Sequence, residues 1–269
     1  MMDGDHLGRQ MSDINKQPII TQGLAEFTQK VPDIVANHNG FLIYAGGDDV
    51  LAILPLEDAL DCAKAVRIHY QDCFKDKPVT TSISAAIIYA HINAPLKNLL
   101  HKAHQVLDDD AKAAAGRDAL AVHVYKGSGP AVQWAKKWDD ALNTDGDYYL
   151  NAIQAKLIRL NSDSNDSEEG IFSSKFLYQI RHRFSLFKTE TQTLSDENNQ
   201  LLTDLLCADF IQSARGIGRT DITLKMAREL IQPLLAQCKN PLNNNHIDEN
   251  AALLVRFLAQ KGIERGANA

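Results

Sequence analysis

Residues 41–54 run Phe-Leu-Ile-Tyr-Ala-Gly-Gly-Asp-Asp-Val-Leu-Ala-Ile-Leu, two apolar stretches on either side of a four-residue tip. Two short apolar strands joined by a tight turn that contains glycine are typical of a β-hairpin. Asp48 and Asp49 lie side by side in the tip, and adjacent carboxylates repel each other unless a cation lies between them. Gly46 and Gly47 ahead of them allow positive φ angles and leave room for a phosphate group near the backbone. The hairpin therefore favours nucleotidyl transfer over the alternative, a solvated acidic turn.

A second acidic cluster lies near the start of the sequence, where Asp3 and Asp5 flank Gly4. In two-metal phosphoryl transfer, carboxylates from neighbouring strands hold two Mg²⁺ ions about 3.5–4 Å apart. We expect Asp3, Asp48 and Asp49 to form such a set, with Mg²⁺ or Mn²⁺ as cofactor. Asp5 is a further candidate metal ligand.

The strand that should deliver Asp3 is not evident in the sequence. Only Met1 and Met2 precede Asp3, and two residues are too few for a buried strand of ordinary length. The sequence therefore predicts a truncated chain, or a first strand that a separate polypeptide supplies.

Composition bounds the class of protein. The chain has 269 residues, of which 45% are hydrophobic and 23% charged, as expected for one or two soluble domains. It has no apolar run near the roughly 20 residues that span a membrane, and its four cysteines form no Cys-x-x-Cys pair. This pattern argues against a zinc ribbon and favours reduced thiols in the cytoplasm. The net charge of -6 gives no general attraction to nucleic acid, so contact with RNA must come from a local patch or from partner subunits.

The order of predicted elements is that of a palm domain. After the hairpin come a helix opened by Pro55, a strand over residues 79–90, a helix opened by Pro95 and a strand over residues 120–124. This order predicts a ferredoxin-like sheet with helices on one face. We expect an α+β fold, with a palm over residues 1–130.

From residue 131 the pattern becomes helical. Helices are expected over residues 131–160, 171–187, 195–214, 220–238 and 247–262, with a polar loop over residues 161–170. We therefore assign residues 131–269 to a C-terminal all-α helical domain. Basic and aromatic side chains alternate over residues 175–188; they favour a core or subunit interface, and contact with RNA is the alternative.

Three motifs resemble one family of proteins. They are the Asp3-Gly4-Asp5-x-x-Gly8 opening, the Tyr44-Ala45-Gly46-Gly47-Asp48-Asp49 hairpin and the Gly116-Arg117-Asp118-Ala119-Leu120-Ala121-Val122 strand. In this order they resemble the second palm of the large signature subunit of type III CRISPR effector complexes, particularly the Cmr form. The palm motifs cover residues 1–126, and the palm is more distantly similar to GGDEF diguanylate cyclases.

The resemblance implies a nucleotidyltransferase in antiviral defence that makes cyclic oligoadenylate from ATP when its complex binds target RNA. Asp3 then corresponds to the first-strand metal aspartate, and Asp48 and Asp49 correspond to the hairpin pair. Gly46 and Gly47 would lie against the nucleotide.

Two basic residues are further candidates for contact with the phosphates. Three residues separate Lys112 from Gly116, where the cyclase pattern has two, so a solvated helical lysine is the alternative. Arg117 would help to position phosphates, or it would cap the preceding helix.

The family's N-terminal half, with a nuclease-like domain and a first palm, has no counterpart in this sequence. No His-Asp dyad occurs, so metal-dependent DNA cleavage is not expected. The family forms its product at a paired-palm site, and we therefore expect this chain to be a C-terminal fragment or half of a split subunit. Its expected partners are the other complex subunits, the guide RNA and the target RNA, with no membrane. Two rivals stay open: a non-catalytic scaffold that docks small subunits, and a free-standing cyclase that uses GTP.

Overall fold

The computed structural model describes residues 1–126, 129–155, 173–187, 196–216, 218–240 and 243–266. The chain divides into two compact units, Met1–Trp138 and Asp139–Ala269. The polar loop predicted over residues 161–170 lies outside the described residues. Within the described part of the chain, no helix is both long enough and apolar enough to cross a membrane.

The first unit is built on one mixed sheet. Its strands are β1 (Met2–Asp5), β2 (Phe41–Gly46), β3 (Asp49–Ile53), β4 (Ser82–Tyr89), β5 (Ala119–Lys126) and β6 (Gly129–Lys137). Its helices are α1 (Leu7–Gln10), α2 (Gln17–Asn37), α3 (Ala59–Phe74) and α4 (Leu96–Gln105), and α4 continues directly into a π-helix (Val106–Ala114).

The sheet has the strand order β2-β3-β1-β4-β5-β6. The pairs among the first four strands are all antiparallel, and with α2 and α3 as connections they form the ferredoxin-like βαββαβ unit. The predicted palm architecture is thus confirmed. A parallel β4–β5 pair and an antiparallel β5–β6 pair extend the sheet.

The expectation that the chain lacks its first strand is wrong. Residues Met2–Asp5 form β1 at the centre of the sheet, and the strand includes Asp3 itself rather than ending before it. All four of its residues pair with β4, and Met2 also pairs with Val50 of β3. Neighbours on both sides stabilise a strand that would be too short to persist alone.

Helices cover both faces of the sheet, not one face as predicted. The hydroxyl of Tyr70 on α3 lies on the side of β1 toward which a Cβ of Gly4 would point. Lys112 of the π-helix instead contacts Asp3, the preceding residue of the strand. The π-helix also packs against β4 and β5. Since successive strand residues point to opposite faces, α3 and the π-helix lie on opposite sides. The sequence analysis did not predict the second helical layer, which is the crossover connection between the parallel strands β4 and β5.

The predicted hairpin is present and forms the edge of the sheet. β2 and β3 pair from Phe41–Ile53 to Gly46–Asp49, which leaves Gly47 and Asp48 as a two-residue turn. Gly47 has a φ of 64°, as the first central residue of a type II′ turn requires. Among the residues that the structure describes, no strand pairs with the outer side of β2.

Residues 129–137 form β6, so the helix predicted to begin at residue 131 is wrong for this segment. Trp134 and Val132 of β6 are buried, and their alternation with more exposed residues has the two-residue period of a strand.

The second unit is mainly helical. Its elements are α5 (Trp138–Ala141), which begins at the last residue of the first unit, α6 (Tyr149–Ala155), α7 (Ser174–Phe187), α8 (Asp196–Gly216), α9 (Leu224–Cys238), β7 (Lys239–Asn240), β8 (Asn243–Ile247) and α10 (Asn250–Gly266). The antiparallel β7–β8 pair makes this unit not purely α-helical.

The basic and aromatic segment at residues 175–188 contributes to the core of the second unit. Phe176 and Phe184 of α7 are buried, and Arg183 forms a bidentate pair with Asp209 of α8. Both observations favour the core interpretation over contact with RNA.

Candidate metal and nucleotide site

Three aspartates converge at one end of the central strands. Asp3 comes from β1, Asp48 from the hairpin turn and Asp49 from the first position of β3. Each offers a carboxylate oxygen, and these oxygens lie within 4.8 Å of one another. The structure therefore brings together the three residues that the sequence nominated as a metal-binding set.

The electrostatics of this cluster favour a cation. Burial raises the pKa of Asp48 above its ordinary value, and the charges of Asp3 and Asp49 raise it further. The pKa of Asp49 is also raised, first by burial and then by Asp3. Asp48 and Asp49 are thus costly to ionise beside Asp3, and a divalent cation would remove that cost. Clustered carboxylate oxygens are the hard ligands that Mg²⁺ and Mn²⁺ prefer, so the donor set fits the expected cofactor.

Gly4 allows the hairpin to approach β1 closely. A Cβ atom on Gly4 would lie 2.7 Å from Cβ and Oδ2 of Asp48, and 2.8 Å from the hydroxyl oxygen of Tyr70. Any larger residue would push the Asp48 side chain away from β1. The sequence analysis missed this role, although the placement of Gly4 between two aspartates on one strand is a signal for it.

The two hairpin glycines differ in what they contribute. A Cβ atom on Gly46 would collide with the Tyr44 hydroxyl, whereas a Cβ on Gly47 would meet nothing within 4 Å. The positive φ of Gly47 makes glycine the favoured residue there. The open space beside Gly47 leaves its backbone accessible next to Asp48.

Lys112 reaches the cluster from the π-helix. Its Nζ atom contacts Oδ2 of Asp3, and the side chains of Lys112 and Asp3 are 14% and 28% exposed. The N–H of Ala115 donates to the carbonyl of Asp110, five residues earlier, at 2.8 Å. Because a π-helix closes five-residue rather than four-residue hydrogen bonds, it holds one extra residue per turn. This accommodates the additional residue between Lys112 and Gly116, so Lys112 still faces Asp3.

Asp5 lies outside the aspartate cluster. Asp3 and Asp5 share a face of β1 but are two residues apart, roughly 7 Å along the strand. The Asp5 carboxylate is buried. It accepts hydrogen bonds from Ser82 Oγ at 2.8 Å, from Ser84 Oγ at 2.9 Å and from the Asp118 N–H at 3.0 Å. These hydrogen bonds occupy the Asp5 carboxylate, so its role is structural and it is not available as a metal ligand.

Arg117 lies in a strained turn between the π-helix and β5. Gly116, Arg117 and Asp118 have φ angles of 81°, 65° and 45°, a conformation that costs non-glycine residues about 1–2 kcal/mol each. Nε of Arg117 is 3.8 Å from Oδ1 of Asp5. The structure therefore places Arg117 beside Asp5, with its side chain 44% exposed, and not on the aspartate cluster.

In addition to Asp5 of β1, residues of α3 and β6 hold this turn in place. Arg67 of α3 pairs with Asp118 at 3.4 Å, and Lys137 Nζ donates to the carbonyls of Gly116 and Arg117 at 3.3 and 3.4 Å. The sequence analysis did not assign a role to Arg67 or Asp118, because their spacing of 51 residues gives no local signal.

The comparisons with known proteins agree with this geometry. The family description "Cas10/Cmr2, second palm domain" matches residues 1–121. The chain is 33% identical over 168 residues to the CRISPR system Cmr subunit Cmr2 of Pyrococcus furiosus, which is 60% of this chain and 17% of that protein. It is also 51% identical over 35 residues to the Cmr2 subunit of Saccharolobus solfataricus, 13% of this chain and 3% of that protein.

The chain thus spans less than a fifth of the length of the Cmr2 proteins that it matches. The matched segment contains β1, the hairpin, the π-helix and the strained turn, which are the elements that build the site. The family resemblance that the motifs indicated is confirmed for this segment. Over residues 1–121 the chain is thus similar to the second palm domain of Cas10/Cmr2, the palm that the motifs indicated.

Proposed function

We propose that the first unit is a catalytic palm that joins ATP molecules into cyclic oligoadenylate when a type III CRISPR complex binds target RNA. The observation that carries this proposal is the convergence of Asp3, Asp48 and Asp49 from two neighbouring strands, with carboxylate oxygens within 4.8 Å. In each step a ribose hydroxyl attacks the α-phosphate of an ATP, an O–P bond forms, and pyrophosphate leaves.

Asp3, Asp48 and Asp49 would hold Mg²⁺ or Mn²⁺. The bound ion would lower the pKa of the attacking hydroxyl and neutralise charge on the phosphates. The residues of the chain contribute positioning and electrostatics rather than a covalent nucleophile. The open backbone at Gly47 leaves room for a phosphate, and Lys112 supplies a positive charge beside Asp3.

The other components of the reaction follow from the relatives. Because the matched proteins are Cmr subunits, we infer that this chain works with further complex subunits, guide RNA and target RNA in the cytoplasm. The preference for adenine rests on the family resemblance and not on any contact in the site.

The scaffold alternative drew its support from the expected lack of a first strand. β1 is in place and carries Asp3 into the cluster, so that argument is removed. What still supports a scaffold is the single palm in the part of the chain that the structure describes.

The test is to incubate the purified chain with labelled ATP and Mg²⁺ or Mn²⁺, alone and with the other complex subunits and target RNA. Oligoadenylates that disappear in the Asp48→Ala/Asp49→Ala variant would support the proposal. The matched control is Asp145→Ala/Asp147→Ala, which removes two exposed aspartates of the second unit. No product from an assembled complex would favour the scaffold, and product from GTP but not from ATP would favour a free-standing cyclase.

A further inference from the structure

The Lys112 ammonium group contacts the same Asp3 carboxylate that is nominated as a metal ligand. We propose that Lys112 and the divalent cation compete for Asp3, so that the metal binds weakly by itself and tightly only when a nucleotide draws Lys112 away. Lys112 is then a positioning residue that couples metal binding to nucleotide binding. The nucleotide half of this proposal rests on the proposed function, whereas the metal half does not.

The competition follows from charge and space. Three carboxylates lie close together, and both Asp48 and Asp49 have pKa values that Lys112 lowers against the larger effects of burial and Asp3. Lys112 thus already provides part of the compensation that a metal ion would provide. A divalent ion among the same oxygens would repel the ammonium group twice as strongly as a monovalent ion would. One of the two cations must therefore leave Asp3 or share it at a cost.

The fold keeps the base of the Lys112 side chain fixed. Ala111 is buried against β4 and β5, and Nε2 of the buried His123 on β5 is 2.7 Å from Oδ2 of Asp110. Because the two residues before Lys112 are held to the sheet, its backbone cannot move far. The four-carbon stem can still rotate, so the ammonium group can leave Asp3 without a change in the helix.

A triphosphate would give the displaced ammonium group a new partner. Lysine is a common point-charge ligand for phosphates, and the backbone beside Gly47 and Asp48 is open. If nucleotide binding moves Lys112 from Asp3 to a phosphate, Asp3 becomes available to the metal. By linkage, nucleotide and metal then raise each other's affinity by the same factor.

The experiment measures Mn²⁺ affinity of the full-length chain by titration calorimetry or by the Mn²⁺ electron paramagnetic resonance signal. The probe nucleotide is an ATP analogue with a methylene bridge between the α- and β-phosphates, which cannot release pyrophosphate. The variants are Lys112→Gln and Lys112→Met, which remove the charge, and Lys112→Arg, which retains it. Lys30→Gln removes one positive charge at an exposed position of α2 and is the matched control. Circular dichroism establishes that each variant is folded.

Without nucleotide, we expect Lys112→Gln and Lys112→Met to bind Mn²⁺ at least about fivefold more tightly than wild type, the lower end of typical coupling between sites. Lys112→Arg and Lys30→Gln should stay close to wild type. The analogue should tighten Mn²⁺ binding more in wild type than in the two neutral variants, where only the contribution of the phosphate oxygens to the ion remains. Unchanged or weaker Mn²⁺ binding in both neutral variants would overturn the competition.

Equal tightening by the analogue in wild type and neutral variants would overturn the coupling through Lys112. Absence of Mn²⁺ binding in every variant would refute the metal site itself. These results do not depend on turnover, so a chain that makes no oligoadenylate but shows tighter Mn²⁺ binding in Lys112→Gln would refute only the proposed reaction.

Discussion

The carboxylate of Asp5 accepts a hydrogen bond of 3.0 Å from the backbone N–H of Asp118, and this contact joins β1 to the turn that precedes β5. Residues 116–118 of that turn all have positive φ angles. Such a conformation persists only where the surroundings fix it. Asp5 therefore supports the end of the π-helix segment, whereas Asp3, two residues earlier on the same strand, faces the metal cluster.

Asp5→Asn and Asp3→Asn should consequently have opposite effects. Asp5→Asn replaces a buried acceptor by an amide that turns a donor toward other donors, which costs about 1–3 kcal/mol of unfolding free energy. Asp3→Asn removes a like charge from the cluster but also the ion pair with Lys112, so it should change the stability of the metal-free protein little, whereas it should abolish Mn²⁺ binding. Thermal denaturation with chelator and Mn²⁺ titration measure the two effects. If Asp5→Asn lost Mn²⁺ binding while keeping wild-type stability, Asp5 would be a ligand after all.

Asp48→Asn should stabilise the metal-free protein. The raised pKa of Asp48 shows that its charge is unfavourable in the folded state, and half-exposed charge pairs are worth about 0.5–1 kcal/mol. We expect the melting temperature in chelator to rise by about 1–4 °C, measured by calorimetry. With Mg²⁺ and the ATP analogue together the order should reverse, because only the wild type gains binding free energy from the metal. Asp33→Asn, at an exposed position of α2, is the control and should show neither effect.

The same carboxyl groups predict a pH dependence. The pKa values of Asp48 and Asp49 are higher in the folded chain than in the unfolded chain, so the folded state binds their protons more tightly. Their unfavourable contribution is fully present above the folded pKa values and disappears as the pH falls toward the unfolded value of about 3.9. The stability difference between Asp48→Asn and wild type in chelator should shrink over that interval.

Metal affinity should fall over the same interval, because protons compete with the ion for the carboxylates. Melting curves from pH 7 to pH 4, with chelator and with Mg²⁺, measure both trends. A stability difference that grew as the pH fell would contradict the cause given for the raised pKa values.

Gly4→Ala should disturb the site without changing any charge. The new methyl group would overlap Asp48 and the Tyr70 hydroxyl at less than 3 Å, and such overpacking costs about 1–3 kcal/mol. Displacing Asp48 by about 1 Å should lower nucleotidyl transfer up to roughly 100-fold. Gly8→Ala is the matched control, because a Cβ there meets nothing within 4 Å. Equal activity of the two variants in the ATP assay would show that Gly4 does not position Asp48.

Local patterns were enough to predict the hairpin and the ferredoxin-like connections. Asp48 and Asp49 are adjacent in sequence, and the alternation of apolar residues around them identifies the strands that carry them. The meeting of Asp3 with this pair was also predicted, because neighbouring strands of a palm bring their ends together. These features depend on short-range sequence periodicity and on the order of elements.

The features that sequence reasoning missed depend on pairing and on packing. β1 needs only four residues because it has a partner on each side, which a length rule for strands does not consider. The π-helix packs Val106 and Ala111 against the sheet, and this packing has no signal in local sequence. The spacing between Lys112 and Gly116 therefore argued against a role for Lys112 in the site. The anchoring of Asp118 by Asp5 and Arg67 joins residues 113 and 51 positions apart.

The hairpin that carries Asp48 and Asp49 makes few strand-pairing contacts with the rest of the sheet. Its ladder with β1 consists of the Met2–Val50 pair, whereas β4 and β5 share five paired positions. β2 also carries three exposed large apolar side chains, Phe41, Ile43 and Tyr44, at 70%, 42% and 54% exposure. Opening of β2 and β3 therefore breaks fewer long-range contacts than opening of the sheet centre, and their amide hydrogens should exchange with solvent faster than those of β4 and β5. Two of the three aspartates of the metal cluster thus lie on a hairpin that opens more easily than the centre of the sheet.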